Sequence, residues 1–106
     1  MTRAGAPSPL IGVVLDGRIE LSVGELSAVC RVQVGQIVAL VEEGVIEPVS
    51  PGFRSPDDWR FAGDVLARAR RALRLQRDFD LDPAAAALVL GMLEQIDALN
   101  AARRGR

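Results

Sequence analysis

From Ala62 to Phe79 apolar residues recur at helical spacing, and this pattern limits the fold more tightly than any other in the chain. At about 100° per residue, Val65, Leu66, Ala69, Ala72, Leu73 and Gln76 fall on one face. Arg70, Arg71, Arg74 and Arg77 occupy the opposite face. The segment DFDLDP then breaks the chain, with Asp82 suited to cap a new helix and Pro83 to begin it. The spacing predicts a last helix from Pro83 to about Ala102, apolar nearly all round as far as Leu93. Two long helices joined by a short break form a helical hairpin, and the rest of the chain must fold against it.

The only aromatic residues are Phe53, Trp59, Phe61 and Phe79, so Leu, Val, Ile and Ala must build the core, which favours helices. A chain of 106 residues is one domain, able to bury roughly 65% of its extended-chain surface without a metal or disulfide staple. Residues 1–9 read as a disordered tail and 10–106 as the domain. The short apolar stretch LIGVVL runs straight into Asp16, unlike a signal peptide, and the longest apolar run is about half a membrane span. The expectation is a soluble, cytoplasmic protein without membrane contact.

Upstream of the hairpin the elements are short. PLIGVVLDGRIEL reads as two strands about an Asp16–Gly17 turn, with a single strand entering a helix as the alternative. Ser22 and Glu25 have capping-box spacing, so a helix starts near Val23 and ends near Cys30, with Leu26, Val29 and Cys30 inward. After a tight turn at RVQ comes VGQIVALVEEG. Ile37, Leu40 and Val41 form its stripe, and Gly44 stands where a left-handed cap belongs. Together these make a helix-turn-helix. In VIEPVSPGFRSPDDWRF, Pro48, Pro51, Gly52 and Pro56 exclude a long helix, and the two ends are expected to pair as a wing, with Trp59 and Phe61 facing the core. The fold class is mainly α: a winged helix-turn-helix with a small β-hairpin and a C-terminal helical hairpin.

The last helix has too much apolar surface for one contact. Leu88, Met92 and Leu99 form one line, and Val89, Leu93 and Ile96 a second. One side is expected to pack on the domain and the other on a second copy, giving a homodimer.

Function is bounded first by absences. The chain has no His, Lys or Tyr, and all thirteen basic residues are Arg. The usual general base, the Schiff-base amine and the P-loop lysine are missing, which argues against an enzyme. With one cysteine and no His, neither a metal site nor a cofactor is expected. Cys30 has no intrachain disulfide partner, fits a reducing compartment, and is expected to pack as a small apolar residue.

Charge sign then separates partners. A winged helix-turn-helix normally reads DNA with its second helix, backed by basic groups on phosphates. That helix offers Gln33 and Gln36 near its start and then Glu42 and Glu43, without one basic residue. From Asp16 to Asp58 eight carboxylates stand against three arginines, so the surface repels a phosphate backbone and DNA binding is disfavoured. A dimeric DNA-binding transcriptional regulator is nonetheless the alternative the scaffold suggests. The arginine stripe of the third helix reads as a solvated face, balanced by Asp78, Asp80 and Asp82. Ion pairs four residues apart are expected at Asp64–Arg68 and Arg74–Asp78. Docking on an acidic protein and phosphate contacts are its other readings.

The order helix-turn-helix, GVIEP, a wing ending in WRF, RLQRDFDLD and the closing ALVLGMLEQIDAL resembles the chaperone-modulator family CbpM, a divergent relative of MerR-type regulators, over roughly Leu21 to Ala102. MerR-type DNA readers carry an arginine and aromatic pair late in the second helix, where this chain has VALVEEG. Arg31 also stands where the turn often has glycine. The resemblance implies a MerR-like fold and a protein that binds the J-domain of a CbpA/DnaJ-like co-chaperone, blocking its stimulation of DnaK. J-domains present a basic helix, which an acidic surface complements. On charge, Glu42, Glu43 and Glu47 are the expected contact, with Asp57 and Asp58 at its edge.

Overall fold

The computed structural model describes residues 13–15, 18–49 and 55–105. The expected tail at 1–9, the Asp16–Gly17 turn and the wing tip lie outside these residues. The elements run β1 (Val13–Leu15), β2 (Arg18–Ser22), α1 (Val23–Cys30), α2 (Val34–Glu42), β3 (Arg60–Ala62), α3 (Val65–Phe79) and α4 (Pro83–Arg104). This is the mainly helical, winged helix-turn-helix architecture, closed by the α3–α4 pair.

Local chemistry sets the boundaries. Ser22 ends β2 and caps α1: its Oγ accepts from the Glu25 amide at 3.0 Å, while Glu25 Oε1 accepts from the Ser22 amide at 2.8 Å. Two of the helix's orphan donors are thereby satisfied. At the far end of α1, Arg31 adopts a left-handed φ of 60°. The Val32 amide donates to Ser27 O and the Arg31 amide to Ala28 O, closing a Schellman motif. α2 ends the same way, with Gly44 at φ 75° and the Val45 amide on Leu40 O at 2.9 Å. The two helices are bent 109° from one another, within the range of a helix-turn-helix. At α4, Asp82 Oδ1 accepts from the Ala85 amide at 2.8 Å.

The sheet corrects the expected pairing of the wing. Its order is β1-β2-β3, antiparallel throughout, with Leu21 opposite Phe61 and Ser22 opposite Arg60. DDWRF thus forms its ladder with β2. Its link to VIEPV among the described residues is one backbone bond, from the Val49 amide to Arg60 O at 2.8 Å. Pro48 has no N–H to give, and Val45 and Ile46 are drawn into the core instead. For the same reason α3 begins at Val65 and not at Ala62, since Ala62 belongs to the strand and the Gly63 amide binds Ile19 O.

The core joins all layers: Leu21, Leu26, Ile37, Leu40, Phe61, Ala69, Ala72 and Leu90 are buried. Phe61 lies at its centre, and Trp59, half-buried, meets it edge-on with ring centroids 6.0 Å apart. The small residues Ala69, Ala72 and Ala86 let α3 and α4 approach closely. α4 is the helix among those described that is long and apolar enough to cross a membrane. Here its Ala86 and Leu90 are buried and its Glu94 and Asp97 pair with α3.

Candidate partner-binding surfaces

The second helix ends on its carboxylates. Glu42 is its last residue, Glu43 its C-cap, and Glu47 follows the Schellman turn; all three are exposed. No basic residue lies in the last turn. A helix C-terminus already carries about half a negative charge, and glutamates there add to it where a cation would stabilise. The end of α2 therefore carries exposed carboxylates that no basic residue of its own last turn offsets.

What holds this end in place is Arg68 of α3. Its Nε and Nη2 donate to the two carboxylate oxygens of Glu94, each at 2.7 Å, and its Nη1 donates to the carbonyl of Val45. One guanidinium thus ties α3 to α4 and to the turn between Glu43 and Glu47. The bond to Arg68 holds the Glu94 carboxyl below its ordinary range, and the same bond raises Arg68. The expected Asp64–Arg68 and Arg74–Asp78 pairs do not form: Arg68 takes Glu94, and Asp78 pairs with Arg77 at 3.2 Å. Arg68 repeats at helical spacing with Val65 and Ala72, and Glu94 stands four residues after Leu90. That spacing was the available signal for a contact between the helices.

The remaining predicted carboxylates lie elsewhere. Asp57 and Asp58 are exposed on a short 3-10 turn, Pro56–Asp58, whose main helix contact is α1. At the start of α2, Gln36 turns back to cap its own helix, its Oε1 accepting from the Gln33 amide at 3.1 Å. That bond engages one of the oxygen's two lone pairs and holds the side chain along its own helix.

The arginine stripe of α3 divides into two rows. Arg68 and Arg71 face α4, Arg71 meeting Asp97 at 3.2 Å. Arg70, Arg74 and Arg77 line a groove of about 680 Å³ with Arg31, Val32 and Leu73. Cys30 lines it too, half-buried and not sealed in the core as expected; burial raises its thiol pKa and Arg70 partly opposes this. On α4, Leu88, Met92, Ile96 and Leu99 are exposed, while Val89 and Leu93 are partly covered. Among the described residues no three metal-ligating side chains cluster.

A small winged helix-turn-helix with an acidic probe end and an uncovered terminal helix defines a regulatory binding protein. A profile described as "MerR HTH family regulatory protein" matches residues 21–104. The chaperone modulatory protein CbpM of Coxiella burnetii (strain Dugway 5J108-111) is 30% identical over 88 residues, covering 83% of this chain and 80% of its own. CbpM of Pseudomonas putida GB-1 is 30% identical over 87 residues, covering 82% and 77%, and that of strain W619 is 28% identical over 81 residues, covering 76% and 77%. The chain belongs to the MerR helix-turn-helix family, and within it to the group of CbpM-like regulators.

Proposed function

We propose that the chain is a non-enzymatic chaperone modulator whose acidic helix-turn-helix end covers the cationic surface of the J-domain of a CbpA/DnaJ-like co-chaperone. Stimulation of DnaK is then inhibited by occlusion. The observation that carries this reading is the end of α2: Glu42 and Glu43 at a helix C-terminus without a basic residue in the last turn. A basic helix docked there relieves repulsion that the free protein bears, and opposite potentials speed encounter and fix register. Glu47 extends the same surface, whereas Asp57 and Asp58, on a separate turn against α1, would be a second contact. The reading also includes a homodimer formed through the outer face of α4, by Leu88, Met92, Ile96 and Leu99 with the edges of Val89 and Leu93.

The test is calorimetry against an isolated J-domain at low salt. Glu42→Arg with Glu43→Arg is expected to weaken binding by about tenfold or more. Unchanged affinity removes these residues from the interface. Tight, salt-sensitive binding of random-sequence duplex DNA would instead restore the transcriptional reading.

A further inference from the structure

We propose that the groove between the α1–α2 turn and α3 is a second docking site, for a segment of partner polypeptide bearing carboxylates on either side of an apolar residue. This stands independently of the J-domain reading, because it uses the opposite charge and other residues.

The groove is built for anions. Arg70, Arg74 and Arg77 project along it at successive helical turns, and Arg31 enters from the helix-turn-helix turn. Among the described residues, Arg31, Arg70 and Arg74 have no carboxylate at ion-pair distance, whereas Arg68, Arg71 and Arg77 do. Crowded like charges repel in the free protein and are relieved by an anionic occupant. Arg31 adds a second argument. It holds a left-handed φ of 60°, a conformation that glycine takes without strain and a residue with a side chain does not. That strain places a guanidinium at the groove.

The chemistry favours polypeptide over nucleic acid. A guanidinium fork matches a carboxylate through two bonds, as it does a phosphate. Val32 and Leu73, however, add apolar wall between the arginines, and a phosphate backbone has nothing to bury there. A volume of about 680 Å³ has room for a few side chains of an extended segment.

The experiment uses the full chain and a short fluorescein-labelled peptide of alternating glutamate and leucine. Its controls are the glutamine–leucine counterpart and a single-stranded oligonucleotide of similar charge. By anisotropy, the acidic peptide is expected to bind and the neutral one not. Arg70→Gln with Arg74→Gln is expected to weaken binding about tenfold, since both residues are exposed and their loss leaves the core intact. Bound peptide should also slow labelling of Cys30, which lines the groove. Glu42→Gln with Glu43→Gln is expected to leave peptide affinity unchanged while weakening the J-domain, so the two readings fail separately. No binding of the acidic peptide, or binding indifferent to the double arginine variant, overturns the proposal. An oligonucleotide that binds more tightly with the same arginine dependence assigns the groove to nucleic acid instead.

Discussion

Replacing Arg68 by methionine removes three bonds at once and keeps most of the apolar stem. The pair with Glu94 is two-pronged, but the side chains are 40% and 37% exposed, so solvent screening limits it to about 1 kcal/mol. The bond to Val45 O is charge-assisted, and its loss leaves the carbonyl of a buried residue without that partner; the lower end of the usual range is about 1.5 kcal/mol. The expected loss for Arg68→Met is therefore about 2.5 kcal/mol. That corresponds to roughly 10 °C in Tm for a domain of this size. Glu94→Gln keeps the Val45 bond and one hydrogen-bonding oxygen, and should lose no more than about 1 kcal/mol. Urea unfolding followed by helical circular dichroism measures both. High salt should shrink the effect of Glu94→Gln and leave much of the Arg68→Met deficit.

The pair also sets an acid dependence. The folded Glu94 pKa is lowered by Arg68, so its stabilisation is complete above the unfolded value of about 4.3. It is lost as pH falls through the depressed folded value. Glu94→Gln should remove that share of the acid sensitivity. Equal losses for the two variants would refute the role given to the Val45 carbonyl. Two variants indistinguishable from the parent at low salt would refute the clamp altogether.

Three further outcomes follow from single features. Arg31→Gly should raise stability by about 1 kcal/mol in thermal melts, because glycine takes the left-handed conformation without strain, while weakening acidic-peptide binding; a destabilised variant would contradict the strain argument. The rate of Cys30 alkylation should reach its midpoint above the ordinary thiol value of about 8.5, since burial raises the thiol, and Arg70→Gln should move it higher still by removing the opposing charge. A midpoint at or below the ordinary value would show a thiol open to water. Met92→Glu with Ile96→Glu should leave the helical spectrum intact, both positions being exposed, yet shift a dimer to monomer in sedimentation; a parent chain that sediments as a monomer removes the dimer from the proposal.

The sequence announced what local chemistry decides. Ser22 with Glu25, Gly44, and Asp82 with Pro83 mark helix ends through bonds to neighbours a few residues away, and each forms as its spacing implies. The twofold alternation of Trp59 and Phe61 likewise brings both rings to one side. Partner choice over distance was not legible. Asp64 lies four residues before Arg68, yet Arg68 reaches Glu94, 26 positions away, because α4 brings a carboxylate with better geometry. Phe61 pairs across from Leu21, and not with the nearer VIEPV, because only β2 presents an uninterrupted row of amides and carbonyls. Of the five carboxylates chosen by sign, Glu42, Glu43 and Glu47 share the end of α2, whereas Asp57 and Asp58 sit on a turn against α1. Charge can be read from a list of residues; the face that bears it depends on tertiary placement.

Those placements give α2 an electrical direction. The helix has nine residues, about 13 Å long, and its dipole is positive at Val34 and negative at Glu42. Arg31 and Gln36, near its positive end, line the arginine groove. Glu42 and Glu43 extend its negative end. Each surface is thus reinforced by the backbone beneath it, and the formal net charge of −1 sums an arginine-lined groove and an acidic helix end. Arg68 keeps that polarity in register with α4, because the carbonyl it holds lies between Glu43 and Glu47. Loosening it by Arg68→Met should therefore lower affinity for a cationic J-domain even under conditions where the variant stays folded, although Arg68 is not among the carboxylates assigned to the contact. If affinity is unaffected while stability falls, the clamp supports the fold alone, and the acidic end binds without being held in place.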